Sequence, residues 1–565
     1  MTQSTEKTNK TILYGLLFVT LIIVSLPAIS TTLFYQAPHD TLFHTQRILS
    51  VSTALENGHF PIRIFGDQMG GYGYGTPLFY SSLFLILPAV LHNWGLPLVF
   101  CYNIFLILIN AATLLVGFYS FKTITKSPEI GCISAILYSV CTYRLEDLYV
   151  RGSMGEFLAL IFLPLCLCGL ICIARGEYHR WGLIVAGFTG VLQSHTLSFL
   201  MITAVAVIYV LAYKKGFWNK MAILSLLKSA AFFLLLNLWY LIPFLDAYRL
   251  PLNVRTTNTY FWYTDASLIQ LFDVLKLSVN GGEVFTDLNT NSMPKTPGVL
   301  LLFGAILALF GCIQSFGEQK KSMATCKWFL LPAFLFTIMT TNLFPWKIIE
   351  QIPFINKIFS SFQFMWRFNI LGILFLSIAA GYGLYYFFIK DSASMIKSLV
   401  ILGLLLGFSS CIFMNQLQKN VEQYREEYVI ANGMTDELYL TTNSQIPEEK
   451  TINAINAETF RYSNLTNEYL KCEFDFTASE CTNWEIELPF TYYPGYQVKV
   501  NNQKVPVSIS ENGLLKASLS PEMTKGTMKA YYSESVLYLI ADFISLFTLL
   551  VCIFFAVRVT KGHSS

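Results

Sequence analysis

Twelve apolar runs, most of them long enough to cross a bilayer, recur along the chain at about 11–34, 98–120, 129–142, 155–174, 181–194, 197–213, 221–245, 297–315, 328–343, 368–389, 397–415 and 534–557. The soluble part lies between the last two runs, at 416–533, and the rest of the chain is not a large soluble core. Composition agrees: 54% of the 565 residues are hydrophobic and 13% are charged. The fold class expected is therefore a polytopic α-helical membrane protein with about 12 transmembrane helices. A net charge of +3 is too small to suggest a nucleic-acid partner. Thr11 to Phe34 has no small-residue cleavage site and reads as a retained helix rather than a signal peptide. Cys166, Cys168 and Cys172 fall inside one apolar run and read as packing residues, whereas Cys472 and Cys481 fall in a polar region, as a pair or as free thiols.

One more apolar run, 77–93, decides the topology. If it spans, nearly every basic loop lies outside. Read as a short broken helix between Pro77 and Pro88, it leaves Lys122/Lys126, Arg175/Arg180, Lys214/Lys215/Lys220, Lys320/Lys321/Lys327 and Lys390/Lys397 in the cytoplasm, as positive charge in short loops requires. The domain division expected is 1–415 for the transmembrane part, with a first external loop 35–97. Residues 416–533 form an extracytoplasmic β-rich domain, and 534–565 a last helix with a short cytoplasmic tail. The β-rich part shows apolar/polar alternation in Tyr496-Gln-Val-Lys-Val500. Further strands are expected around Tyr469–Phe476, Trp484–Leu488, Val505–Ile509 and Leu514–Leu519. Asn501-Asn502 and Asn512-Gly513 are expected as turns, because Asn and Gly accept positive φ. Together these predict a small β-sandwich.

Four polar clusters fall on the same predicted side. His39-Asp40-x-x-x-His44 follows the first span; if a helix begins at Asp40, Asp40 and His44 share a face. Such a carboxylate suits deprotonation of a hydroxyl or a divalent cation (Mg or Mn), and equally suits a helix N-cap. Tyr143-Arg144-Leu-Glu146-Asp147-Leu-Tyr149-Val-Arg151-Gly152-Ser-Met-Gly155-Glu156 joins two spans; its arginines suit a phosphate, or the loop pairs its own charges. His195 sits at a helix break, as a proton carrier or a structural histidine. Gln363-Phe-Met-Trp366-Arg367-Phe368 opens a late span, reading as a phosphate-and-sugar contact or as an interfacial anchor. The loop Gly70–Gly75 lacks the Lys-Ser/Thr ending of a nucleotide-binding loop.

At these motifs, together with Gly58-x-Phe-Pro61-x-Arg63 and Tyr72-Gly73-Tyr74, the chain resembles a bacterial membrane-protein family named 6-pyruvoyl-tetrahydropterin-synthase-related, close to the YfhO-like proteins. That family in turn looks like the GT-C glycosyltransferases, polytopic enzymes with an acid in the first external loop and a polyprenyl-phosphate sugar donor. The resemblance covers the membrane part to about residue 370. It implies Asp40 in the position of the essential acid, with His39-Asp40 where those enzymes often carry an acidic pair. The function it implies is transfer of a sugar from a polyprenyl-phosphate-linked donor to a cell-envelope polymer at the outer face of a bacterial plasma membrane. Asp40 and His44 are the catalytic candidates. His39, Arg63, Tyr74, Arg144, Asp147, Arg151, Glu156, His195, Gln363, Trp366 and Arg367 are the substrate-binding candidates. The alternatives are a lipid-linked-sugar flippase or a structural partner in envelope assembly. External placement of the charges disfavours a transporter, which needs polar sites near the midplane.

Overall fold

A computed structural model describes residues 3–30, 34–35, 40–257, 296–314, 318–389, 423–431, 436–442, 444–455, 459–479 and 484–562. His39, Cys481 and the apolar run 397–415 lie outside the described residues. The other eleven predicted runs coincide with helices. Among the described residues, six helical segments are long and apolar enough to cross a membrane: Thr11–Ile29, Leu98–Thr125, Met154–Ala174, Lys220–Ala247, Met365–Ile389 and Val536–Phe555. Several helices that match predicted runs are shorter, among them Pro128–Val140, Thr196–Ala212 and Val299–Gln314.

The chain forms two compact units. Met1–Thr45, Gly95–Ala230 and Asn258–Ala431 make the first. Gln46–Trp94, Ala231–Thr257 and Asn432–Ser565 make the second. This differs from the expected division at 415/416 and 533/534, because part of the first loop and the last helix join the sandwich in one unit.

The first unit is helical, with one short pair of strands, β1 (Phe34–Tyr35) against β2 (Gln423–Tyr424). Its helix ends follow local chemistry. Helix Leu98–Thr125 stops at Lys126, whose φ is +58°, and Pro128–Val140 starts behind Ser127, whose hydroxyl accepts from Ile130 N–H at 3.2 Å. Glu426 carboxylate oxygens accept from Leu98 and Val99 N–H at 3.0 and 3.1 Å, placing an anion at a helix N-terminus. Small residues let backbones approach: a Cβ on Gly187 would lie 2.7 Å from Cys166 N, and one on Gly169 would lie 2.8 Å from Ile184 N.

The second unit contains the sandwich. Its strands are β3 (Asn453–Ile455), β4 (Phe460–Glu468), β5 (Lys471–Ala478), β6 (Trp484–Thr491), β7 (Tyr496–Val500), β8 (Gln503–Val505), β9 (Val507–Ile509), β10 (Leu514–Leu519) and β11 (Lys525–Tyr532). They form antiparallel sheets in the orders β3-β6-β10-β9 and β4-β5-β11-β7-β8. The inward-facing Cys472, Phe474, Phe476, Tyr496, Val498, Val500, Met528 and Ala530 are buried together with Trp484 and Ile486. The expected alternation in β7 is present. Asn501 and Asn502, at φ +46° and +68°, make the two-residue turn into β8. The single strand expected over Val505–Ile509 is broken at Pro506, which has no N–H for a ladder.

The run 77–93 is broken, as expected, into Thr76–Phe79, Leu83–Leu85 and Ile86–Asn93. The Gly-rich loop before it packs against the sandwich. Tyr72 hydroxyl donates to Glu449 carbonyl at 2.8 Å, and Tyr72 carbonyl accepts from Thr491 N–H at 2.9 Å. A Cβ on Gly75 would lie 2.5 Å from the Tyr493 ring, so only glycine fits there.

Candidate functional site

Four segments far apart in sequence converge in the first unit. Helix Met154–Ala174 brings Glu156 to its first turn, and the preceding π-helical turn Asp147–Arg151 ends at Gly152, φ +66°. A wider turn of this kind rotates side chains out of the regular helical series and is frequent at functional sites. Here it points Arg151 at Glu156, Asp147 and Asp40, at 2.9, 3.1 and 3.5 Å. The Arg151 guanidinium also lies over the Trp366 ring, 4.6 Å from its centroid. Tyr143 hydroxyl donates to the second Glu156 oxygen. Arg367 Nε is 3.8 Å from Glu156, with no hydrogen-bond partner among the described residues. Its Nη1 donates to Gln363 Oε1 and Phe362 carbonyl, each at 2.9 Å. Gln363 adopts φ +61°, rare outside glycine, which is the kind of backbone strain that collects at functional sites.

Asp40 sits at the lip. Its side chain is 40% exposed, against 1% for Asp147 and 0% for Glu156, so it is the carboxylate of this group that can reach an incoming molecule. Two backbone features fix it there. Asp40 N–H donates to Arg151 carbonyl at 3.0 Å, and Gly152 lies so close to Thr41 that a Cβ would be 2.9 Å from Thr41 Cβ. Asp40 carbonyl accepts from His44 N–H at 3.0 Å, opening the helix Thr41–Glu56. Asp40 thus occupies the N-cap position while its carboxylate turns to Arg151. His44 is buried one turn on, its ring against Phe43 at 5.1 Å.

The electrostatics are those of a buried, ion-paired cluster. Burial, with the Glu156 charge beside it, raises the Asp147 carboxyl well above the usual range, against the pull of Arg151. Burial opposes the Arg151 charge, but Glu156, Asp40 and Asp147 outweigh it and hold the guanidinium above its ordinary value. Arg151 and Arg367 thus face Asp40, Asp147 and Glu156 across the cluster. His195 Nδ1 is 2.8 Å from Ser198 Oγ. Burial outweighs the attraction of Glu156 and pushes the His195 pKa down to about 3, with both guanidiniums adding to the shift, so its imidazole is neutral.

Other expected site residues go elsewhere. Arg144, expected at a phosphate, is fully buried and donates to Ser139 carbonyl at 3.0 Å, Asn110 Oδ1 at 2.7 Å and Thr113 Oγ1 at 3.2 Å. Asn110 Nδ2 in turn donates to Val24 carbonyl and Tyr149 hydroxyl, so Arg144 knits helices together. Arg63 belongs to the second unit, where it donates to Glu534, Asp542 and Trp239 carbonyl, each at 2.7 Å. Tyr74 is buried, and its hydroxyl accepts from Tyr439 N–H at 3.1 Å. These three side chains hold the fold.

In the sequence, Glu146 counts only as loop charge. In the structure it is fully buried, neither carboxyl oxygen has a hydrogen-bond partner among the described residues, and burial raises its pKa well above the usual range. Nothing in the local sequence separates it from Asp147; the π-helical turn does.

Among the described residues no group of three or more His, Cys, Asp or Glu side chains is placed to hold a metal ion. Arg151 engages Asp147, Glu156 and, at a longer distance, Asp40, whose carboxylate is the most exposed of the three.

No protein-family model matches the chain. Over 209 aligned positions, which cover 35% of this chain and 34% of the relative, the chain is 25% identical to an uncharacterized protein of Lactococcus lactis subsp. cremoris (strain MG1363). The match thus spans about a third of that relative's length.

Proposed function

We propose that the chain is a membrane glycosyltransferase of GT-C type, moving a sugar from a polyprenyl-phosphate-linked donor to a cell-envelope acceptor at the outer face of a bacterial plasma membrane. The observation that carries the reading is the convergence of Asp40, the Asp147–Glu156 segment, His195 and Arg367 on one cluster with Asp40 at its lip. The apolar helices supply the setting for a lipid-linked donor, its tail among membrane lipids. Twelve spans with basic loops in the cytoplasm put Asp40, the cluster and the sandwich outside.

The long Arg151–Asp40 contact suggests how the parts act. A donor phosphate binds the Arg151 and Arg367 side of the cluster and replaces Asp40 at Arg151. Asp40, released, takes the proton of the acceptor hydroxyl. The acceptor oxygen bonds to the anomeric carbon as the bond from that carbon to the phosphate oxygen breaks, and polyprenyl phosphate leaves with the electron pair. A single displacement of this kind inverts the anomeric centre. Glu156, held by Tyr143 and Arg151, keeps Arg151 aimed, and no step requires a metal held by the protein.

The test is Asp40→Asn in proteoliposomes carrying labelled polyprenyl-phosphate sugars. Loss of a positioned base predicts transfer slowed by about 10²–10⁴-fold with donor binding retained. Unimpaired transfer by this variant removes the catalytic assignment. Movement of labelled lipid across the vesicle without transfer favours a flippase instead.

A further inference from the structure

The outward face of the five-stranded sheet carries a row of like charges. In register across adjacent strands, Glu473 faces Lys529, Lys529 faces Lys499, and Lys499 faces Lys504. Like charges directly opposite one another weaken a sheet, so the row costs stability unless something outside it supplies anions. Only Glu473, 3.6 Å from Lys529 Nζ, offsets it within the row. Lys499 Nζ instead lies over the Tyr531 ring, 5.6 Å from its centroid. The fold does not require these lysines, because the inward neighbours Met528, Ala530, Val498 and Val500 make the core. Beside the row is a cavity of about 500 Å³ lined by Asn57, Tyr469, Lys499, Asn502, Lys529 and Tyr531, among others; Glu468 is also in its wall, with its charge taken up by Lys471 at 2.7 Å.

We propose that this face binds an anionic carbohydrate polymer, most simply one built of sugar or polyol phosphates. Strands about 4.8 Å apart set three ammoniums along a track of about 10 Å, suited to regularly spaced anions rather than to one small ion. Lysines hold such anions as point charges without demanding one orientation. The tyrosine rings offer faces for sugar carbons and the asparagine amides offer partners for hydroxyls. A lipid surface fits less well, since the aliphatic side chain in the lining, Leu470, is buried. The assignment deepens the transfer reading, in which the polymer is the acceptor, but binding is measurable without transfer.

The experiment uses the full-length protein in nanodiscs, titrated with poly(glycerol phosphate), polygalacturonate, neutral dextran and phosphatidylglycerol vesicles. Poly(glycerol phosphate) should bind, more weakly as salt rises. The double variant Lys499→Gln/Lys529→Gln should lose at least about tenfold in affinity. Lys516→Gln, on the other sheet and paired with Glu485 at 2.8 Å, should bind as wild type. Equal binding of polygalacturonate supports the anionic-carbohydrate class with carboxylate in place of phosphate. Undiminished binding by the double variant, equal binding of dextran, or lysine-dependent binding of vesicles alone overturns the proposal. Asp40→Asn should bind polymer normally. If it also transfers sugar normally while the lysine variant loses the polymer, the transferase reading fails and this one stands. If the wild type transfers sugar to a short acceptor but binds no polymer, the transferase reading stands and this one fails.

Discussion

Gly152→Ala tests the lock that sets Asp40 against Arg151. Gly152 sits at φ +66°, where alanine costs about 1 kcal/mol over glycine. The added Cβ would lie 2.9 Å from Thr41 Cβ and 3.0 Å from Thr41 Cα, so a rotamer change cannot relieve it. The start of helix Thr41–Glu56 must move by roughly 0.5 Å or more, a small-to-large strain of about 1–3 kcal/mol. Asp40 N–H, 3.0 Å from Arg151 carbonyl, moves with it. If about 2 kcal/mol of this falls on the local contact, amide hydrogens at 40–44 should exchange about 30-fold faster. Sugar transfer should fall by about 10²-fold if the carboxylate is displaced by about 1 Å. Gly176→Ala is the control. Gly176 has φ +87° and nothing within 4 Å of its Cβ position, so it carries the backbone penalty alone. Hydrogen exchange of both variants, followed by mass spectrometry, reads the difference. Exchange at 40–44 in Gly152→Ala no faster than in Gly176→Ala would refute the lock.

Two further outcomes follow from the buried charges. Arg63→Met strands Glu534 and Asp542 without their shared cation and should destabilise the protein by about 3–5 kcal/mol, seen as a lower Tm in detergent; a Tm unchanged from wild type would place those carboxylates in water. Glu146 has a raised folded pKa, so its contribution is fully present below the ordinary carboxylate range near about 4.3 and is lost as pH rises towards the folded value. Glu146→Gln should therefore raise Tm over wild type more at pH 8 than at pH 5, with Asp147 leaving some of the slope in place; identical slopes would show that Glu146 is solvated.

The apolar helices and the sandwich were legible in the chain because their signals are local. An apolar run of sufficient length has to satisfy its own backbone as a helix, and alternation in Tyr496–Val500 followed by Asn501-Asn502 specifies a strand and its turn within seven residues. The candidate site was legible only as a set of residue types. Arg63, Arg144, Arg151 and Arg367 look alike in sequence, each a cation beside an apolar segment. Tertiary structure separated them. Arg63 found Glu534 across 471 positions and became a brace, and Arg144 sank among neutral oxygens. Arg151 met Asp40, Asp147, Glu156 and Trp366. A hydrophobic pattern is enforced by solvent at each residue in turn, whereas a buried charge must find a partner, and that partner is fixed only when distant segments have packed.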